Sequence, residues 1–150
     1  LIPKEAAVAV ARTCRELPLD DAFFAALLTL EIIATNGGSC SDLFRGIPEM
    51  VYTPEVKIAV AEEDKAEVMR SLEQNFADNS RGGDLIDLDG VRLSFDDGWM
   101  LIRASNTTAN LTVRIEGKTT NSLKRIGNIV RESLADHPVD LEHLNAALDV

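Results

Sequence analysis

Two Asp-Gly dipeptides, Asp89-Gly90 and Asp97-Gly98, stand close together in the second half of the chain. Glycine after aspartate readily takes the backbone conformation of tight hairpins, so each pair predicts a chain reversal. The reversals separate short apolar segments: LIDL from Leu85, VRLSF from Val91 and WMLIRA from Trp99. After a polar loop, LTVRIEG begins at Leu111. Strands joined by hairpins pair antiparallel, which constrains this region to a meandering antiparallel sheet.

The flanks supply the other layer. In EVKIAV, from Glu55, Val56, Ile58 and Val60 alternate onto one face of a strand. Glu62, Glu63 and Asp64 suit a helix first turn, and Val68, Met69, Leu72 and Phe76 give that helix an apolar stripe. NSRGG, residues 79–83, reads as a loop. Thr119 or Thr120 can cap a last long helix carrying Leu123, Ile126, Val130 and Leu134 on one side. His137-Pro138 ends it, and DLEHLNAAL predicts a short closing helix. The order β-α-β-β-β-β-α predicts an α+β fold, an antiparallel sheet covered on one face by two helices. With 45% hydrophobic residues, the chain can bury a core without disulfides or metals.

Residues 1–53 differ in character. PKEAAVAVARTCREL predicts one helix, and a second starts at Asp20 or Asp21. Phe23, Phe24, Leu27, Leu28, Leu30, Ile32 and Ile33 make that second helix apolar on most faces, the mark of burial on more than one side. Asn36-Gly37-Gly38 stops it, and SCSDLFRGIP gives a short helical turn. The composition changes near Thr53-Pro54. Residues 1–53 are therefore expected to be the helical C-terminal remnant of a preceding domain, and 54–150 a domain of their own.

The net charge of −10 repels nucleic-acid backbones and anionic lipid headgroups, and no basic stripe is visible in the sequence from Glu55 on. No nucleic-acid or membrane partner is expected. AFFAALLTLEIIA is too short to span a bilayer and is interrupted by Glu31. Cys14 and Cys40 lack metal-type spacing and predict reduced packing residues in a cytoplasmic protein.

The loop before the last strand is the chemically distinctive part. Arg103 precedes Ser105-Asn106-Thr107-Thr108-Ala109-Asn110. A phosphate monoester presents three acceptor oxygens and nearly two negative charges, so it needs donors on several sides. A guanidinium binds an oxyanion bidentately. The hydroxyls of Ser105, Thr107 and Thr108, the Asn106 amide and the loop's backbone N–H groups can supply the rest. The plainer alternative is a polar hairpin loop, since serine, threonine and asparagine favour turns for local reasons. Other features have structural readings. His137 and His143 predict solvent-exposed residues, Asp96-Asp97 the approach to a hairpin, and Glu62–Lys65 a helix first turn. Ser80-Arg81-Gly82-Gly83 lacks P-loop spacing. No nucleophile–base set and no cofactor fingerprint is present.

At Arg103-Ala104-Ser105-Asn106-Thr107-Thr108 the sequence resembles the C-terminal domain of the α-D-phosphohexomutases, nearest in pattern to bacterial phosphomannomutase/phosphoglucomutase. DGVRLSFDDGWMLIRASNTT resembles the family's two short strands running into the phosphate loop, and TPEVKIAV the start of the last domain. LDDAFFAALLTLEII resembles the helix closing the domain before it, so that roughly residues 19–135 align by eye. The resemblance implies a TATA-binding-protein-like last domain in a four-domain enzyme that interconverts hexose 1- and 6-phosphates. A phosphoserine donates the phosphoryl group, a bisphosphorylated hexose reorients as intermediate, and magnesium held by aspartates assists. Arg103, Ser105, Asn106, Thr107 and Thr108 would hold the phosphate that is not reacting. Nothing here matches the family's phosphoserine loop, aspartate-rich magnesium loop or Gly-Glu-Met-Ser-type sugar loop, and Ala109 stands where the family often has proline. The expected partners are a phosphosugar and upstream domains of the same protein, with magnesium held by a domain absent from this chain and the fragment inactive alone. Two alternatives are a non-catalytic protein-interaction module, motivated by the apolar helix and Trp99, and a phosphoglucosamine mutase.

Overall fold

The computed structural model describes residues 22–36 and 40–149. The first predicted helix, the Asp20/Asp21 cap, Cys14 and Gly37-Gly38 lie outside the described residues. The chain divides into two compact units, residues 1–48 and 49–150. The division falls earlier in the chain than the composition change at Thr53-Pro54.

In the first unit, α1 (Ala22–Asn36) is followed by a short 3-10 turn, Cys40–Phe44. Phe23, Leu30 and Ile32 on α1 are exposed, where the all-round apolar pattern predicts burial.

The second unit contains β1 (Val51–Tyr52), β2 (Val56–Ala59), α2 (Glu62–Asp78), β3 (Asp84–Ile86), β4 (Val91–Phe95), β5 (Gly98–Ala104), β6 (Asn110–Gly117), α3 (Thr120–Leu134) and α4 (Glu142–Leu148). Its six strands form one antiparallel sheet in the order β1-β6-β5-β4-β3, with β2 also on β6. The α+β fold read from the sequence is the fold observed.

Period-two alternation sends Val56, Ile58, Val91, Leu93, Met100, Ile102, Leu111, Val113 and Ile115 to one buried face. Val68, Met69, Leu72 and Phe76 of α2 and Leu123, Ile126, Val130 and Leu134 of α3 complete the core with them. Leu144 and Leu148 of α4 join the same core.

Three departures from the sequence expectations have local causes. β1 is an addition. It is only two residues long, too short for any periodicity, and pairs Val51 with Gly117 and Tyr52 with Glu116. Between β1 and β2 the buried Thr53 continues the ladder. Its N–H donates to the Ile115 carbonyl at 2.9 Å, and its hydroxyl accepts from the Ile115 N–H at 3.2 Å. The strand predicted to reach Leu88 stops at Ile86, leaving Leu88 92% exposed. Finally, Phe95 pairs with Gly98, so the second hairpin turns on Asp96-Asp97 and its glycine opens β5.

Asp97 ties that hairpin to α3. Its carbonyl accepts from the Lys118 N–H at 2.8 Å, and its carboxylate pairs with Arg125. Thr119 caps α3, accepting from the Ser122 N–H at 3.1 Å. The hydrogen bond from the Ser122 side chain holds the Asp97 carboxyl below its ordinary value of 3.8; desolvation opposes it, and the Arg125 guanidinium adds to the lowering. A carboxyl depressed in the folded state stabilises above its unfolded pKa and loses that contribution as pH falls through the folded one. Asp97→Asn is therefore expected to lower the denaturation midpoint slightly at neutral pH, with the gap closing in acid below 3.8. A gap unchanged between the two conditions would refute this role.

Candidate phosphate site

The helices cover one face of the sheet, and the other is open. Register gathers on it residues that are scattered in sequence. Arg92, Leu101 and Arg114 form one cross-strand row, and Arg103, Thr112 and Lys57 form the next. The open face carries Lys57, Arg92, Arg103 and Arg114, and with them the carboxylates of Asp84 and of Glu116, which accepts from the Arg114 guanidinium at 3.1 Å. No basic stripe shows in the sequence because these cations come from four different strands. Arg92 stacks over the Trp99 ring at 4.2 Å, so Trp99 is half-buried.

At the loop end of this face lies a cavity of about 430 Å³. Arg103, Ser105, Asn106 and Thr107 line it, together with Glu55, Leu101, Thr112 and Arg114. Four of the five residues expected to bind phosphate thus share one cavity. Strand alternation brings Arg103 to the open face, and its half-exposed guanidinium lies 3.5 Å from the Asp89 carboxylate. That separation at an exposed position is a weak tie. Arg114 was not singled out in sequence. Its signal was its alternation with Thr112 on the strand that leaves the loop. Glu55 at the rim opposes an anion.

Thr108 is not among the lining residues. Its hydroxyl lies 2.7 Å from the Ser105 hydroxyl, which also accepts from the N–H groups of Thr107 at 3.4 Å and Thr108 at 3.2 Å. Two of the amides expected to face an anion are therefore engaged inside the loop, in the local serine-to-backbone pattern of turns. The loop closes through Ser105 N–H to the Asn110 carbonyl, 3.0 Å, and Asn110 N–H to the Thr108 carbonyl, 2.8 Å.

Behind the loop sits Lys65, in the first turn of α2 and only 9% exposed. Its ammonium donates to the carbonyls of Ser105 at 2.7 Å and Thr108 at 3.2 Å, and to the Glu62 carboxylate at 2.8 Å. In sequence Glu62–Lys65 reads as a surface first turn. The overlooked signal is spacing, because Lys65 stands three and four residues before Val68 and Met69 and continues their stripe toward the sheet.

A larger cavity, about 560 Å³, runs beside β2 and α4 and is lined in part by Val56, Ala59, Ala147, Asp140 and His143. It contains no arginine and no residue of the Ser105–Thr108 tip. His143 is exposed and His137 half-buried. Among the described residues no group of three or more His, Cys, Asp or Glu is placed to hold a metal ion, so they do not fit a magnesium site. Nor is any helix among them long and apolar enough to cross a membrane.

A family model described as phosphoglucomutase/phosphomannomutase, C-terminal domain, matches residues 55–133, more than half of the chain. The chain belongs to the phosphoglucomutase/phosphomannomutase family. Its relatives in that family include a phosphomannomutase/phosphoglucomutase of Pseudomonas syringae, 35% identical over 125 residues, which are 82% of this chain and 26% of that protein. A phosphoglucomutase of Neisseria meningitidis is 31% identical over 119 residues, 79% of this chain and 26% of the relative. A Pyrococcus furiosus protein named "Probable phosphoglucosamine mutase" is 31% identical over 118 residues, 76% of this chain and 26% of its own length. The chain spans about a quarter of the length of these relatives. A solved family member, a phosphoglucomutase/phosphomannomutase family protein of Burkholderia thailandensis, superposes with a TM-score of 0.63 at 27% identity, covering 83% of this chain and 30% of that one.

Proposed function

We propose that residues 54–150 are the phosphate-clamping last domain of an enzyme interconverting hexose 1- and 6-phosphates, with residues 1–53 the end of the domain before it. One observation carries the proposal: a guanidinium, two hydroxyl side chains and a carboxamide, from Arg103, Ser105, Thr107 and Asn106, line a single cavity beside a second guanidinium, Arg114. Donors on several sides suit a dianion, and Arg103 is the guanidinium most able to turn to it, because Arg114 already donates to the Glu116 carboxylate at 3.1 Å and Glu55 stands at the rim. Thr108 braces the tip through Ser105 and touches the ligand indirectly.

The clamp grips the phosphate that is not reacting. Binding energy at that remote end orients the other end of the sugar toward a phosphoryl donor on upstream domains, where magnesium would also be held. The fragment by itself binds without turnover. The loop faces the phosphate and leaves the sugar ring to other parts of the enzyme. This fits relatives named for both glucose or mannose and glucosamine phosphates.

The test is an amide chemical-shift titration of the 150-residue chain with glucose 6-phosphate, glucose as the control. Shifts centred on Arg103 and residues 105–108, seen with the phosphosugar alone, are the expected outcome. Equal responses to both sugars, or none at the loop, would overturn the proposal and favour the interaction-module alternative.

A further inference from the structure

We propose that Lys65 is the positioning residue of this loop, setting the direction of its donors and placing a fixed positive charge behind the anion. The inference rests on the phosphate-clamp reading above. An ammonium has three N–H donors, and here it meets three acceptors: the Glu62 carboxylate and the carbonyls of Ser105 and Thr108. Those carbonyls belong to the first and last residues of the tip, so one buried cation clasps both ends of the four-residue stretch. In a trans peptide the C=O and the following N–H point in opposite directions. Drawing the Ser105 and Thr108 carbonyls back toward Lys65 therefore turns the N–H groups of Asn106 and Ala109 forward, away from α2.

Electrostatics reinforce the geometry. Lys65 is 9% exposed, so its field is screened less than that of a surface lysine. Glu62 is largely exposed and its opposing charge is correspondingly better screened. Lys65 is absent from the cavity lining, hence positioning and not contact. A lysine at the core-facing position of a helix turn would be poorly placed without such partners, because an unpaired buried charge is costly.

Two measurements on the 150-residue chain test this. In Lys65→Met the stem length and its packing are kept while the charge and three donors go. Affinity for glucose 6-phosphate is expected to fall by about tenfold or more, as for loss of charge-assisted hydrogen bonds. Lys65→Arg, which restores the charge, recovers part of the loss. In the wild-type chain, the side-chain ammonium of Lys65, held by three acceptors, is expected to give a resolved ¹H–¹⁵N signal that shifts when glucose 6-phosphate binds. A purely structural lysine would not report the ligand. Arg103→Ala separates the two readings. If the wild type binds, Arg103→Ala does not, and Lys65→Met binds as wild type, the role of Lys65 is refuted while the clamp stands. A wild-type chain that binds no phosphosugar overturns both. Should Lys65→Met fail to fold, the wild-type ammonium signal decides, and its indifference to ligand refutes the inference.

Discussion

On the phosphate-clamp proposal, Arg103→Ala is expected to lower kcat/KM of the proposed full-length enzyme toward hexose 1-phosphate by roughly tenfold or more, with little change in thermal stability. The guanidinium lines the candidate cavity, and its present tie to Asp89 is long, 3.5 Å, with both side chains substantially exposed. Little is therefore given up when the side chain turns to a ligand, and little stability is lost when it is removed. A charge-assisted hydrogen bond contributes about 1.5–3 kcal/mol, and about 1.4 kcal/mol is a factor of ten. Arg103→Lys should restore only part of the activity, because a single ammonium cannot reproduce the two parallel N–H donors of the fork. On the same proposal the clamped phosphate would be remote from the chemistry, and losing the grip would loosen orientation, so kcat is expected to fall along with affinity. Steady-state kinetics of the two variants beside wild type are the measurement. Unchanged kinetics in Arg103→Ala would remove the clamp from the mechanism.

Most of the sheet was legible in the sequence because its strands obey a period of two. Val91, Leu93, Met100, Ile102, Leu111, Val113 and Ile115 all alternate, and all are buried. The helices were legible for the same reason at their own period, through Val68, Leu72 and Phe76 or Leu123, Ile126 and Val130. Illegible parts depend on contacts across the chain. β1 is recruited by β6, far away in sequence, and Thr53 lends a hydroxyl where the ladder lacks a regular partner. The donor-rich loop and Arg103 could be read from residue types, but not the way the loop spends its donors. Ser105 takes two backbone amides for itself, which removes Thr108 from the cavity. Arg114 and Lys65 were hidden for opposite reasons. One joins the site only through strand register. The other reaches it from behind, through a helix whose first turn resembled any acidic start.

Gly90→Ala is expected to destabilise residues 49–150 by roughly 2–5 kcal/mol and to weaken phosphate binding as well. Gly90 sits between β3 and β4 with φ of +90°, a conformation that side-chain-bearing residues rarely adopt. A Cβ there would lie 2.3 Å from the Ile102 carbonyl oxygen and 2.9 Å from both Cα and Cβ of Arg103. Those atoms belong to β5, which pairs with β4 on one side and β6 on the other, so the strand has little freedom to retreat. The turn must be displaced, or Arg103 must be. Either way the base of the guanidinium moves, and the proposed phosphate site would tolerate little misplacement. Gly82 supplies the control. Its φ is +84°, yet an added Cβ would meet nothing within 4 Å. Gly82→Ala carries a similar backbone cost without the collision, and the difference between the two variants isolates the contact with β5. For a unit of this size Gly90→Ala should lower the melting midpoint by on the order of 10 °C or more, and Gly82→Ala by clearly less. Equal losses in the two variants would show that backbone conformation alone sets the cost, and that Gly90 has no part in seating Arg103.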